Sequence, residues 1–116
     1  MLSAIPNIIT SIRFLLVIPI SVYIYQGNDL LVGGTGSDDF IFRDGDGNDT
    51  IRDFDANNNA EDIILRGVTG ITSFADLSAN HMSQVGTSVV IEDGAGLTIT
   101  LLNVDIADLG AGDFIF

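Results

Sequence analysis

Three aspartates in this chain share one local setting. Asp29, Asp38 and Asp49 each close a Gly-x-Asp triplet, and each stands two residues before a large apolar side chain: Leu31, Phe40 and Ile51. Gly33-Gly34-Thr35-Gly36-Ser37-Asp38-Asp39-Phe40-Ile41 forms one complete nine-residue unit. Gly27-Asn28-Asp29-Leu30-Leu31-Val32 is the end of an earlier one. Asp44-Gly45-Asp46-Gly47-Asn48-Asp49-Thr50-Ile51-Arg52 is a third, set off by the insertion of Phe42 and Arg43. The chemistry these residue types offer is capture of a hard cation. Glycine tolerates positive backbone angles, so a glycine-rich turn can aim carbonyl oxygens inward. The closing aspartate adds a carboxylate. Calcium accepts about six to eight such oxygens in a forgiving geometry.

Those turns need elements that hold them in place. The residues after each aspartate read as a short strand, and side chains alternate along a strand, so Leu31, Phe40 and Ile51 point inward together. One such unit cannot bury its apolar residue alone, and repeats of this kind must stack.

The pattern resembles the RTX (haemolysin-type) nonapeptide G-G-x-G-x-D-x-U-x, in which U is large and apolar. The resemblance implies a right-handed parallel β-roll with two repeats per coil and calcium between turns one coil apart. Carried onto this chain, the turn ending at Asp29 pairs with the turn Asp44 to Asp49. The turn ending at Asp38 lies on the other side, with its partner near Asp53 to Asn59, where oxygen ligands occur without glycine. The implied ligand set is Asp29, Gly33, Gly34, Gly36, Asp38, Asp44, Asp46, Gly47, Asp49, Asp53 and Asp55, forming one or two sites for Ca2+. A rival reading places Asp44, Asp46, Asn48, Thr50 and Asp55 at positions of an EF-hand loop. That loop asks for glycine where Asp49 stands, and flanking helices are not evident.

Composition narrows the function. The chain has 116 residues, with 14 Asp and 2 Glu against 4 Arg and no Lys, for a net charge of -12. A nucleic-acid binder needs a basic face, and so does a protein docking electrostatically on anionic lipid. The predominance of Asp over Glu, beside 13 Gly and 8 Asn, suits turns and cation binding better than general solubility. Cysteine is absent, which excludes disulfides and thiolate chemistry. A hydrophobic fraction of 47% is too high for a wholly disordered acidic chain. Gly33-Gly34-Thr35-Gly36 opens no long apolar helix, which argues against a dinucleotide loop. His81, the single histidine, has no nucleophile–base–orienter set around it in sequence, so the expectation is a protein that is not an enzyme.

Three segments follow. Residues 1–25 contain no acidic residue and one basic residue, Arg13. From Ile5 to Tyr25 the segment is long and apolar enough to span a bilayer as a helix, although Arg13, Pro6 and Pro19 disfavour it. Ile5-Pro6-Asn7-Ile8-Ile9-Thr10 with Arg13-Phe14 resembles the first transmembrane helix of CDP-alcohol phosphatidyltransferases. The D-x-x-D-G-x-x-A-R metal motif of those enzymes has no copy here. The expectation for this segment is an apolar, transmembrane helix, a membrane anchor or fusion remnant contacting the membrane through residues 5–25. Residues 26–62 carry the repeats and 9 of the 14 aspartates.

Residues 63–116 form the third segment. Ile63-Ile64-Leu65 reads as a buried strand and Thr72 to Leu77 as a helical turn capped by Thr72 or Ser73. Ser88–Glu92 and Leu97–Leu102 read as β-branched strands joined through Asp93-Gly94-Ala95-Gly96. Ile106–Leu109 reads as a short helix and Asp113–Phe116 as a last strand. The layout resembles the block after the repeats in RTX proteins, whose ends serve type I secretion. The fold expected is all-β: a short parallel β-roll capped by antiparallel strands. The function expected is a calcium-binding module that folds on ion binding, secreted or at the cell surface. The alternatives are a phosphatidyltransferase-like fragment and a calcium-dependent adhesion domain with an unspecified protein partner.

Overall fold

The computed structural model describes residues 8–9, 21–24, 26–34, 37–57 and 61–116. After each repeat turn the chain crosses to the opposite sheet. The strands are β1 (Ile8–Ile9), β2 (Ser21–Ile24), β3 (Leu30–Leu31), β4 (Asp39–Arg43), β5 (Gly47–Ile51), β6 (Asp62–Gly67), β7 (Met82–Val85), β8 (Ser88–Glu92), β9 (Leu97–Leu101) and β10 (Phe114–Ile115). One sheet runs β1-β2-β4-β6-β10 and the other β3-β5-β9-β8-β7. All pairs of the first sheet are parallel, as are β3/β5 and β5/β9. The alternation of β2 through β6 between two sheets, with the neighbouring repeat strands parallel in each, is a β-roll.

Side-chain alternation fills the space between the sheets. Phe40 and Phe42 of β4, Ile51 of β5, and Ile63 and Leu65 of β6 are buried, while Asp39, Ile41 and Arg43 point outward. Leu31, Leu97, Ile99 and Leu101 close the core from the second sheet. Leu31 lies beside Ile51, and Ile51 beside Leu101, so the inward residues stack from coil to coil. Stacking of this kind supplies the burial that no single unit can achieve.

The antiparallel β7-β8-β9 hairpins end the second sheet. Asp93–Gly96 joins β8 to β9 as expected, with the Asp93 carboxylate accepting from the amides of Ala95 and Leu97. Ser73 caps the helical turn Phe74–Asp76, its hydroxyl accepting from the Asp76 amide at 3.1 Å. Ile106–Asp108 is a 3-10 turn capped by Asp105. β7 had no sequence signature, because Met82-Ser83-Gln84-Val85 lacks apolar alternation. Its pairing comes from the two-residue turn at Gly86-Thr87, where Gly86 has φ +62, the angle that a type II′ hairpin requires at that position.

The N-terminal segment departs from expectation. At its described positions, Ile8–Ile9 and Ser21–Ile24, the chain is strand in the first sheet and not helix. Ile24 is fully buried in the core. Strand pairing satisfies the backbone there and the roll interior takes the apolar side chain, so at these positions the protein core does what a bilayer was expected to do. Among the described residues, no helix is long and apolar enough to cross a membrane. The rest of the segment lies outside the described residues.

Candidate metal centre

On one side of the roll, residues 27–29 stack on residues 46–49. The Gly27 amide donates to the Asp46 carbonyl, the Asn48 amide to the Asn28 side chain, and the Asp29 amide to Asp49 Oδ1 at 3.0 Å. The ladder continues as Thr50 and Arg52 donate to the carbonyls of Asp29 and Leu31. Contacts between residues 20 apart therefore define one coil. Gly47 makes the close approach possible. Its φ is +95, and a Cβ there would overlap the Gly27 carbonyl oxygen.

Asp29 and Asp49 are thereby brought together inside the protein, 3% and 1% exposed. Burial pushes the Asp49 carboxyl well above the ordinary range. The Asp29 amide opposes the shift, while the charge of Asp29, side-chain hydrogen bonding between the two carboxyls and the charge of Asp46 add to it. Asp49 Oδ2 is buried and no N–H or hydroxyl group among the described residues donates to it, which leaves the Asp29 carboxyl as its polar neighbour. Such an atom is expensive to leave unsatisfied, and a cation is the partner that a desolvated carboxylate pair favours. The donor set is all oxygen, which is the chemistry calcium prefers.

On the other side, Asp38 is fully buried and packs against Gly33, where a Cβ would overlap Asp38 Oδ2. Asp53 does not stand open toward it. Its two oxygens accept from the amides of Gly33 and Gly34, at 2.9 and 2.8 Å, and so anchor the turn. The acidic group that accompanies Asp38 is Glu61, 3% exposed. Burial raises the Glu61 carboxyl to about 7, the Asp55 amide lowers it, and the charges of Asp38, Asp53 and Asp55 raise it further. Glu61 was absent from the expected set, yet it carried a signal. It precedes buried Ile63 by two residues, the offset of Asp29, Asp38 and Asp49 from their apolar partners.

The remaining expected residues serve the turns. Asp44 is exposed and grips Thr69 through both oxygens, at 3.0 and 2.9 Å. Asp46 is buried and accepts from the Arg43 amide at 2.7 Å. Asp55 accepts from the Asn57 amide in a local turn. Gly36 lies outside the described residues. Residues 47–51 form a strand, so the EF-hand alternative does not describe this segment. Among the described residues, no three His, Cys, Asp or Glu side chains are grouped to hold one metal ion. An ion here would take two carboxylates and complete its shell with backbone carbonyls. The register also bounds the site: Ile99 pairs with Asp49 on the following strand, so no third carboxylate extends that row.

No family model and no curated protein matches the sequence. Among solved structures, the chain is similar to the solution structure of the AlgE6R2 subunit from the Azotobacter vinelandii mannuronan C5-epimerase. The two are 21% identical over 92% of each chain, with a TM-score of 0.43.

Proposed function

We propose that this chain is a calcium-binding β-roll module, with an ion held between the turns 27–29 and 46–49 by Asp29, Asp49 and neighbouring main-chain oxygens. The observation that carries the reading is the buried Asp49 Oδ2, which no N–H or hydroxyl group among the described residues reaches, beside a second buried carboxyl. Calcium supplies the positive charge that makes this burial favourable, so its binding energy becomes folding energy. The role is structural and not catalytic, and it suits a protein that works where calcium is plentiful, outside the cell.

Calorimetry of the full chain with calcium tests this. Asp49→Asn should weaken binding at least about tenfold, since it removes a charged ligand. Asp108→Asn, on the exposed 3-10 turn, should leave it unchanged. No calcium heat in the native chain, or equal losses in both variants, would refute the reading.

A further inference from the structure

Across β4, β6 and β10, the outward face of the first sheet is patterned in rows. β4 presents Asp39, Ile41 and Arg43 outward, and β6 presents Asp62, Ile64 and Arg66. Register sets Asp39 beside Asp62, Ile41 beside Ile64, and Ile115 of β10 on the far side of Ile64. After Ile41 the ladder shifts, so that Arg43 lies opposite Gly67, one residue past Arg66. This part of the face thus has an acidic row at one end, a stripe of half-buried isoleucines in the middle and a basic row at the other end. Arg43 and Arg66 are exposed and are two of the four basic residues in the chain; Arg43 also donates from its guanidinium to the Ile24 carbonyl at 3.5 Å, so Arg66 is the main carrier of the basic row.

The acidic row is unfavourable by itself, because like charges directly opposite on neighbouring strands repel. Burial raises the Asp62 carboxyl, and the charges of Asp39 and Asp113 raise it further. A row in this state favours a cationic partner, and the nearest surface chemistry that matches it is the basic row of the same face.

We propose that this face is a self-association surface that binds the same face of a second copy of this chain. A two-fold axis lying in the interface along the rows reverses the strand direction. It brings Asp39 and Asp62 of one copy over Arg43 and Arg66 of the other, and the isoleucine stripe over itself. A two-fold axis along the strands would place acid on acid and is disfavoured. The charge of -12 opposes contact between copies over most of the surface, so complementary rows select both the partner and the orientation. Sheets stack about 10 Å apart, a distance the outward isoleucines and long arginine side chains bridge. The patch is small beside stable dimer interfaces, so association is weak. None of these residues belongs to the proposed ion site, and the inference stands independently of calcium binding.

Sedimentation equilibrium of the full chain, in excess calcium and over a concentration series, tests the proposal. The native chain should dimerise, and increasingly weakly as salt rises. Arg66→Asp alone and Asp62→Arg alone should each weaken dimerisation at least tenfold. The double variant, Asp62→Arg with Arg66→Asp, should recover it, because the exchanged rows remain complementary. Circular dichroism establishes that each variant is folded. NMR shifts of the native chain on dilution give a reading without variants, and they should cluster at Ile41, Ile64 and Ile115. A native chain that stays monomeric at every concentration, a double variant no better than the singles, or dilution shifts elsewhere would overturn the proposal.

Discussion

Asp49 and Glu61 show how burial changes what a carboxyl group does. Both are buried acids, and in both burial is the leading reason the carboxyl is held above its ordinary range. The sign of the effect on stability follows from linkage. A carboxyl with a folded value above its unfolded one favours the fold while it is protonated. For Glu61 that contribution is complete below the unfolded value of 4.5 and is lost as pH rises through about 7. The metal-free chain should therefore melt at a higher temperature at pH 5 than at pH 8. Glu61→Gln should raise the melting temperature at pH 8 by several degrees and change it little at pH 5. Thermal denaturation in chelator at the two pH values reads both effects. A variant that melts lower than the native chain at pH 8 would show that the Glu61 charge is already compensated.

Among the elements, the turns decide the site and the strands carry it. The turn at Gly47 lets residues 27–29 settle directly on the next coil. Gly47→Ala forces a side chain into a positive φ and against the Gly27 carbonyl. The expected loss is about 2 kcal/mol or more of stability, with weakened calcium binding. Gly45→Ala isolates the angle term, since φ there is +79 and an added Cβ meets nothing within 4 Å. Its loss should be smaller, and denaturant titration of the two variants in calcium ranks them. In the cap, Gln84 is exposed yet bridges elements: its amide nitrogen donates to the carbonyls of Gly86, Ser88 and Val104, and its oxygen accepts from the Ile106 amide. Gln84→Ala should cost about 1–2 kcal/mol, because several modest hydrogen bonds are lost at a solvent-facing position. An unchanged denaturation midpoint would mean that water replaces all of them.

For the whole molecule, the metal-free and metal-bound chains should differ in cooperativity as well as stability. One hydrophobic cluster runs from Leu31 and Phe40 of the repeats through Ile99 and Phe114 of the cap, so repeats and cap share a core. The ion-site carboxylates lie at the edge of that core. Removing calcium should loosen residues 27–50 before it disturbs the hairpins β7-β8-β9. Hydrogen exchange in chelator and in calcium would show this as lost protection at Asp29 and Thr50, with protection retained at Val90 and Ile99. Equal loss in both regions would instead mean that the roll and cap melt as one unit.

The nine-residue spacing determined by itself which residues turn and which point inward, while the pairing of one turn with another was implied by the resemblance to RTX repeats. Gly-x-Asp followed by a large apolar residue is a local pattern, and local patterns survive folding when every neighbouring unit agrees with them. The cap hairpin at Asp93–Gly96 was legible for the same reason. Other features were decided only in three dimensions. Residues 5–25 are apolar enough for a bilayer helix, yet their described positions pair as strands, because a roll with an open edge and an apolar interior offers burial that composition cannot register. Asp53 looked like a ligand by residue type but became an anchor for the Gly33 and Gly34 amides. Glu61 entered the buried set because strand pairing between β4 and β6 aligned its neighbour Asp62 with Asp39. Spacing states which side a side chain takes, and only packing states which groups it then meets and whether its charge has a partner.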